Sequence, residues 1–353
     1  MEQEKQQQLG ETETLSADDF SRMLKENFNP RNDSTRENEV ENAVSALVRE
    51  ALSDQSVVKE DVLDTVDEII AKLDAKLSDQ MNEILHAPEF QQIESAWRGL
   101  EYLTNNAEPD ATLKVRVMNI SKSELERELR SWGGAKWDQS PFFKKIYEEG
   151  FGTSGGEPYG CLIGDYQFYH SAADVRILRG VSQVAAAAHA PFFTAAAPSL
   201  LGMESWNEMS NPYDIGSIFE TPDYAAWRGL RESENSRYLG VTMPRMLARS
   251  PYGQDSLPVD EFNFEEQTDG HTGEKYAWMN AAYAMGANVA RAHKTYGWTV
   301  QIRGVQSGGE VINLPTHTFK TDEGAVDMKC PTETSITDRR EAEPSKAGLI
   351  SLV

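Results

Sequence analysis

Side chains that could bind a metal or attack a substrate are few and widely spaced in this 353-residue sequence. No two of its six histidines stand at the HxxxH or HxH spacing that can bring two imidazoles to one metal ion. The sequence also contains no GxxxxGK(S/T) phosphate loop. These patterns predict no catalytic residue, no cofactor site and no metal site.

Two cysteines and one glycine-rich segment remain as candidates for chemistry. Cys161 and Cys330 form no CxxC pair, which argues against a disulfide framework and favours a reducing compartment. Cys161 lies in the apolar run YGCLIG and is interpreted as a core thiol. Residues 152–160, GTSGGEPYG, contain Pro158 and precede a strand-like run, whereas a phosphate-binding loop opens a helix. We interpret these glycines as loop residues.

Charge limits the classes of partner. The net charge is −23, and residues 1–85 carry 21 acidic against 9 basic side chains, a balance of −12. A chain this acidic repels nucleic acids and anionic membranes, so neither is expected as a partner. The sequence has no run of about 18 apolar residues, the length that a membrane-spanning helix needs. Its polar N-terminus also lacks a signal-peptide pattern. We therefore predict a cytoplasmic protein without membrane insertion.

Residues 1–35 are interpreted as an N-terminal arm that contains one short amphipathic helix. Its first part is polar and expected to be disordered. Ser16 is then a suitable helix N-cap, and Pro30 ends the segment. The apolar side chains between them repeat at helical spacing, and they are Leu15, Phe20, Met23, Leu24 and Phe28. This helix could fold back on its own domain or bind in a groove of another protein, and the pattern favours neither.

Residues 36–87 are predicted to form long amphipathic helices. One apolar stripe covers residues 40–52 and another covers residues 62–77, both close to the period of a helix. Such stripes are typical of bundle helices or of a coiled-coil surface for a partner. Pro88 is expected to end this region.

Residues 88–297 alternate between strand-like and helix-like segments, which predicts an α/β fold with a mixed or parallel sheet flanked by helices. The first expected strand is 112–120, where apolar residues alternate with polar ones. Ser121 and Glu124 are placed for a capping box that opens the next helix. Three longer helices are expected, at 171–189, 223–234 and 276–293.

Residues 298–353 are interpreted as the strand-rich start of a C-terminal domain. The segment is rich in glycine, and its last five residues, LISLV, have the composition of an apolar strand. Pro344 has no amide donor, so we expect it to break a helix at its position.

One pentapeptide, AWRGL, occurs twice, at residues 96–100 and 226–230. The flanking residues share little, which argues against an internal duplication. In each copy the tryptophan and the leucine are three residues apart and therefore share one helical face. We expect Trp97 and Trp227 to be buried scaffold anchors of two amphipathic helices.

Four longer blocks follow one another along the chain: PEFQQIESAWRGLEYL, ILRGVSQVAAAAHAPFFTAAAPSLLG, WRGLRESENSRYLGVTMPRMLARSPYG and LPTHTFKTDEGAVDMKCPTETSITDRRE. Over residues 16–350 they resemble the large subunit of the type VI secretion contractile sheath, the TssC/VipB family. In that family both tryptophan segments are ordinary parts of the pattern. Family chains also continue beyond residue 353, so the resemblance implies that roughly the last third is lacking.

The resemblance implies a contractile tail-sheath-like fold and a structural, non-enzymatic role. Such subunits pair with a small sheath subunit (TssB/VipA-like) and polymerise around an Hcp-like inner tube on a baseplate. Contraction ejects the tube and spike, and a ClpV-type AAA+ ATPase then dismantles the sheath. A short N-terminal helix of the large subunit binds that ATPase, which maps onto residues 15–28. Two alternatives remain: a non-polymerising adaptor of the same system, or an acidic cytoplasmic enzyme with an undetected site.

Overall fold

The structure of the protein is a computed structural model, which describes residues 62–209, 215–260, 262–297, 302, 304, 308–321 and 323–353. The predicted arm helix at 15–28 and the apolar stripe at 40–52 lie outside the described residues. Chain contacts define two compact units. Of the described residues, one unit comprises those up to Leu85 together with those of Tyr252–Glu266, and the other comprises those of His86–Pro251 and Gln267–Val353.

A 24-residue helix, α1, spans Val62–Leu85 in the first unit. It confirms the helix predicted from the apolar stripe at 62–77. Residues 252–266 pack beside it, with the Asn82 side-chain amide donating to the Glu265 carbonyl at 3.2 Å and Phe264 buried. Several large apolar side chains of α1 remain exposed, and they are Ile70, Leu77, Met81 and Ile84.

The second unit contains the other described α-helices. They are α2 (Pro88–Ala107), α3 (Lys122–Ser131), α4 (Pro141–Phe143), α5 (Glu149–Phe151), α6 (Ala172–Ala188), α7 (Ile215–Glu220), α8 (Ala225–Arg231), α9 (Ala282–Tyr296) and α10 (Asp338–Lys346). A π-helical turn, Lys144–Glu148, joins α4 to α5. The predicted capping box begins α3, because the Glu124 amide donates to the Ser121 hydroxyl while the Ser121 amide donates to the Glu124 carboxylate.

Eight strands are described. They are β1 (Leu162–Phe168), β2 (Phe192–Ala196), β3 (Leu239–Met243), β4 (Met246–Leu247), β5 (Trp278–Met279), β6 (His317–Lys320), β7 (Val326–Lys329) and β8 (Leu349–Ser351). The pairs β4–β5 and β6–β7 are antiparallel. The other four strands form one sheet in the order β1-β2-β3-β8.

This four-stranded sheet is parallel throughout, with Leu162 paired to Phe192, Phe192 to Leu239, and Val241 to Leu349. Every residue of β2 and β3 is buried, as expected when helices cover both faces of a parallel sheet. The predicted α/β class is therefore confirmed, and the predicted LISLV strand is β8 within this sheet.

Neighbouring side chains along β1 point to opposite faces of the sheet. Leu162 and Phe168 pack in a cluster that includes Val181 of α6 and Trp227 of α8. Ile163 packs instead in a second cluster, which contains Ala287 of α9 together with residues of α2. Helices α6 and α8 therefore cover one face, whereas α9 covers the other and has α2 against it.

The strand predicted at 112–120 is wrong, because no residue from Leu113 to Ile120 is in a strand. Leu113 and Val115 pack against the second cluster, whereas Val117 is 70% exposed. The alternating pattern correctly indicated a half-buried segment. A strand also requires a paired neighbour, and none of the described strands pairs with these residues.

Three sequence signals have different outcomes from those predicted. Pro88 does more than end a helix, since it is the first residue of α2, where a missing amide leaves no hydrogen bond unmade. Pro344 lies inside α10, so the expected break is wrong; only two helical residues follow it, which limits the loss. The helix predicted from residue 276 begins at Ala282, because Trp278–Met279 forms β5.

Candidate interaction surfaces

No described group of three or more His, Cys, Asp and Glu side chains could hold a metal ion. Protein atoms surround the thiol of Cys161, and this burial raises its pKa to about 11, away from a reactive thiolate. A polar cavity of about 110 Å³ is lined in part by Arg291 and Lys294. Both cations already have partners, since Arg291 donates to the Glu310 carbonyl and Lys294 pairs with Glu108. The candidate functional sites among the described residues are therefore exposed surfaces for binding other proteins.

In the part of the chain that the structure describes, no helix is long and apolar enough to cross a membrane.

The first AWRGL segment lies in the middle of α2 and buries its glycine. Gly99 is on the same side of the helix as Tyr102 and Leu103, which are also buried. A methyl group on Gly99 would overlap the ring of Tyr283 on α9. The glycine therefore permits the close approach of α2 and α9.

Polar contacts hold α2 in place. Arg249 donates to both carboxylate oxygens of Glu94, at 2.5 and 3.2 Å, and both side chains are nearly inaccessible. The Ser95 hydroxyl donates to the Trp278 carbonyl at 2.8 Å. Because a buried charge without its partner is strongly destabilising, the Arg249–Glu94 pair restricts α2 to one orientation.

The second AWRGL segment lies in α8 and buries its tryptophan. Trp227 and Leu230 are each 1% exposed, and the Trp227 ring lies 6.3 Å from that of Phe219. Gly229 is exposed, and a methyl group there would come no closer than 3.9 Å to any neighbour. Arg228 donates to the Phe219 and Thr221 carbonyls at 2.5 and 2.7 Å, which joins α8 to the chain before it.

The expectation that Trp97 is a core anchor is wrong, because its side chain is 69% exposed. Residues of a helix are separated by about 100° around its axis, so Trp97 lies nearly opposite the side that carries Gly99 and Tyr102. Trp227, in contrast, is buried in the core, as the sequence predicted. The two copies of one pentapeptide thus bury opposite sides.

Trp97 belongs to an apolar strip on the solvent side of α2. Phe90, Ile93 and Trp97 follow one another at intervals of three and four residues, so they share one side of the helix. All three are exposed, Ile93 by 59%. Exposed Glu89 and Glu101 border them. We call Phe90, Ile93 and Trp97 the α2 face.

Two further exposed apolar surfaces occur in the second unit. Val326 and Met328 project from the same face of β7, and Val326 is 70% exposed. Val117 and Met118 are exposed in the unpaired segment before α3. Monomeric soluble proteins rarely expose large contiguous apolar patches without a binding function.

The remaining predicted site residues lie outside the described part of the chain. They are the arm-helix residues Leu15, Phe20, Met23, Leu24 and Phe28. Sequence reasoning missed Phe90 and Ile93, although their spacing from Trp97 was visible. The sequence places two apolar strips on α2, and helical spacing alone does not identify which one is buried.

Comparison with known proteins identifies the family. Residues 67–353 match the VipB family model, described as EvpB/VC_A0108, tail sheath N-terminal domain. The chain is also 56% identical over 344 residues to the type VI secretion system sheath protein TssC1 of Pseudomonas aeruginosa, an alignment that covers 98% of this chain and 69% of that protein. The matched region includes both pentapeptides and the whole parallel sheet. The chain therefore belongs to the VipB family of type VI secretion sheath proteins, and its role is that of a structural sheath subunit.

Proposed function

We propose that the chain is the large subunit of a contractile sheath in the bacterial cytoplasm, that it has no enzymatic activity, and that it pairs with a small sheath subunit. The heterodimers polymerise around an Hcp-like inner tube on a baseplate, and contraction of the polymer ejects the tube and spike. The observation that carries this proposal is the tail-sheath match over residues 67–353. The exposed apolar surfaces of the second unit agree with a subunit that is covered by neighbours on assembly.

Co-expression with the cognate small sheath subunit tests the proposal. We expect a stable heterodimer by size-exclusion chromatography and tubules by electron microscopy. A heterodimer that never forms tubules would favour the non-polymerising adaptor. A monodisperse monomer that does not bind the small subunit would contradict the proposal.

We further propose that residues 15–28 bind a ClpV-type AAA+ ATPase as a helix, with Phe20, Met23, Leu24 and Phe28 as anchors. Burial of each such side chain contributes roughly 1.5–3 kcal/mol. Ordering the segment offsets much of this gain, so the net affinity should be micromolar, near −8 kcal/mol by the usual conversion. Weak binding suits a segment that is repeated along a filament, because several segments that bind together raise the overall affinity.

Pull-down of the ATPase with a Met23→Asp/Leu24→Asp variant tests this assignment, and we expect binding to be lost while the heterodimer survives. A matched control, Ser21→Asp/Asn27→Asp, adds the same charge at polar positions of the segment and should bind as the wild type does. Unchanged binding by the first variant, or loss of the small subunit, would show that the segment is not the ATPase handle.

A further inference from the structure

The α2 face carries a large exposed tryptophan on a helix that is rigidly held. We propose that this face binds the small sheath subunit, through an apolar segment of that subunit flanked by lysine or arginine. The inference rests on the proposed function, since it assumes that the small subunit is the partner. It adds the surface that recognises that partner and the chemistry of the segment recognised.

The first observation is the combination of exposure and support. Trp97 is 69% exposed although α2 is held on its opposite side by the contact of Gly99 with Tyr283, and beside the face by the Arg249–Glu94 ion pair. Tryptophan is enriched among the residues that dominate binding energy at interfaces. Because the backbone beneath Trp97 is already ordered, binding there requires little further ordering of this chain.

The second observation is the sign of the charge around the face. Three carboxylates lie on or beside it, those of Glu89, Glu94 and Glu101. Two cations lie nearby, because Arg98 is 3.0 Å from Glu101 and Arg249 pairs with Glu94, so carboxylates outnumber cations by one. The border is therefore acidic and fits a cationic segment. A second copy of this chain would carry −23 charges of its own, which disfavours it as the occupant.

The two other exposed apolar surfaces of the second unit fit this occupant less well. Val326 and Met328 lie on a two-stranded sheet beside Lys320, a cation that would repel lysine or arginine. Val117 and Met118 follow Lys114 and Arg116, which share the single carboxylate of Glu157. The α2 face thus differs from both by its acidic border.

The test measures binding of the purified full chain to the cognate small sheath subunit by isothermal titration calorimetry. We expect Trp97→Gln to bind roughly thirtyfold more weakly or worse, as loss of a central anchor would give. Glu89→Lys should bind several-fold more weakly, and less so at high salt. Val326→Gln, which removes an apolar side chain of equal exposure from another surface, should bind as the wild type does.

The following results support or overturn the assignment of the α2 face as the binding surface. Circular dichroism should show every variant folded, because each altered side chain is exposed. Wild-type affinity in Trp97→Gln overturns the inference, as does an equal loss in Val326→Gln. A self-associated wild-type chain that Trp97→Gln converts to a monomer would make a second copy the occupant. If the wild-type chain does not bind the small subunit at all, the proposed pairing itself fails.

Discussion

The two AWRGL segments place the same five residues in helices with opposite buried sides. In α8 the tryptophan and leucine are in the core and the glycine faces outward. In α2 the glycine is in the core and the tryptophan faces outward. The arginines differ as well, since Arg228 donates to two backbone carbonyls whereas Arg98 pairs with neighbouring carboxylates on the helix surface.

The difference teaches that a short motif specifies a helix and its periodicity but not its orientation. The orientation comes from the residues around the motif. In α2 these are Glu94, which pairs with Arg249, and Tyr102, which is buried. In α8 they are Phe219 and Tyr224, whose rings pack with each other beside Trp227.

The largest expected contrast is between the two tryptophans. Trp227→Ala should lower the free energy of unfolding by about 3–5 kcal/mol, because it empties a large core site. Trp97→Ala should change it by about 0.5 kcal/mol or less, since the side chain is exposed. Urea unfolding followed by circular dichroism measures both. Equal losses in the two variants would show that Trp97 is also buried.

The glycines should show the reverse contrast, with a smaller magnitude. Gly99→Ala should destabilise the fold by about 1–3 kcal/mol, because the new methyl group meets the buried ring of Tyr283. Gly229→Ala has open space and should stabilise α8 by roughly 0.5–1 kcal/mol, through higher helix propensity. Melting temperatures that move in opposite directions would support the comparison, and a shared direction would contradict it.

The arginines should differ by less again. Arg228→Met removes two hydrogen bonds to backbone carbonyls and should cost about 1–2 kcal/mol. Arg98→Met removes ion pairs on the helix surface and should cost about 0.5 kcal/mol or less. The same urea series measures both variants. A larger loss for Arg98→Met would mean that α2, rather than α8, depends on its arginine.

The smallest expected effect concerns the buried side of α2. Burial raises the pKa of Tyr102 to about 12, against a smaller lowering effect of the Arg291 charge. An unfolded tyrosine titrates near about 10, so the stability that the neutral phenol contributes is complete below pH 10 and declines between about 10 and 12.

Tyr102→Phe lacks this titration and also lacks the hydrogen bond to the Ile312 carbonyl, which contributes about 1 kcal/mol. The difference in unfolding free energy between wild type and variant should therefore shrink as the pH rises above 10. Urea unfolding at pH 8, 9, 10 and 11 measures it. A difference that stays constant would show that the Tyr102 phenol is not desolvated.

Much of the fold follows from local sequence. The capping box at Ser121 and Glu124 predicted the start of α3, and the strand-like run after residues 152–160 predicted β1. Residues 112–120 had the alternation of a strand but no described strand to pair with. Pairing depends on residues distant in sequence, and a local pattern does not contain that information.

The candidate surfaces were less predictable than the fold. The family resemblance came from long ordered blocks, and the comparisons confirm it. The α2 face was not recognised, because Phe90, Ile93 and Trp97 have the spacing that a core strip would also have. Exposure is a property of the folded chain, so the spacing alone could not distinguish a core strip from a binding surface.

The sequence by itself determined the family, the α/β class, the acidic charge and the helical character of both AWRGL segments. Only the tertiary structure decided which side of each helix is buried. The physical reason is that α2 contacts α9 where Gly99 lies against the ring of Tyr283. These two residues are far apart in the chain, so the local sequence around either one does not predict their contact. Once that contact is made, the opposite side of α2, which carries Trp97, must face solvent or a partner.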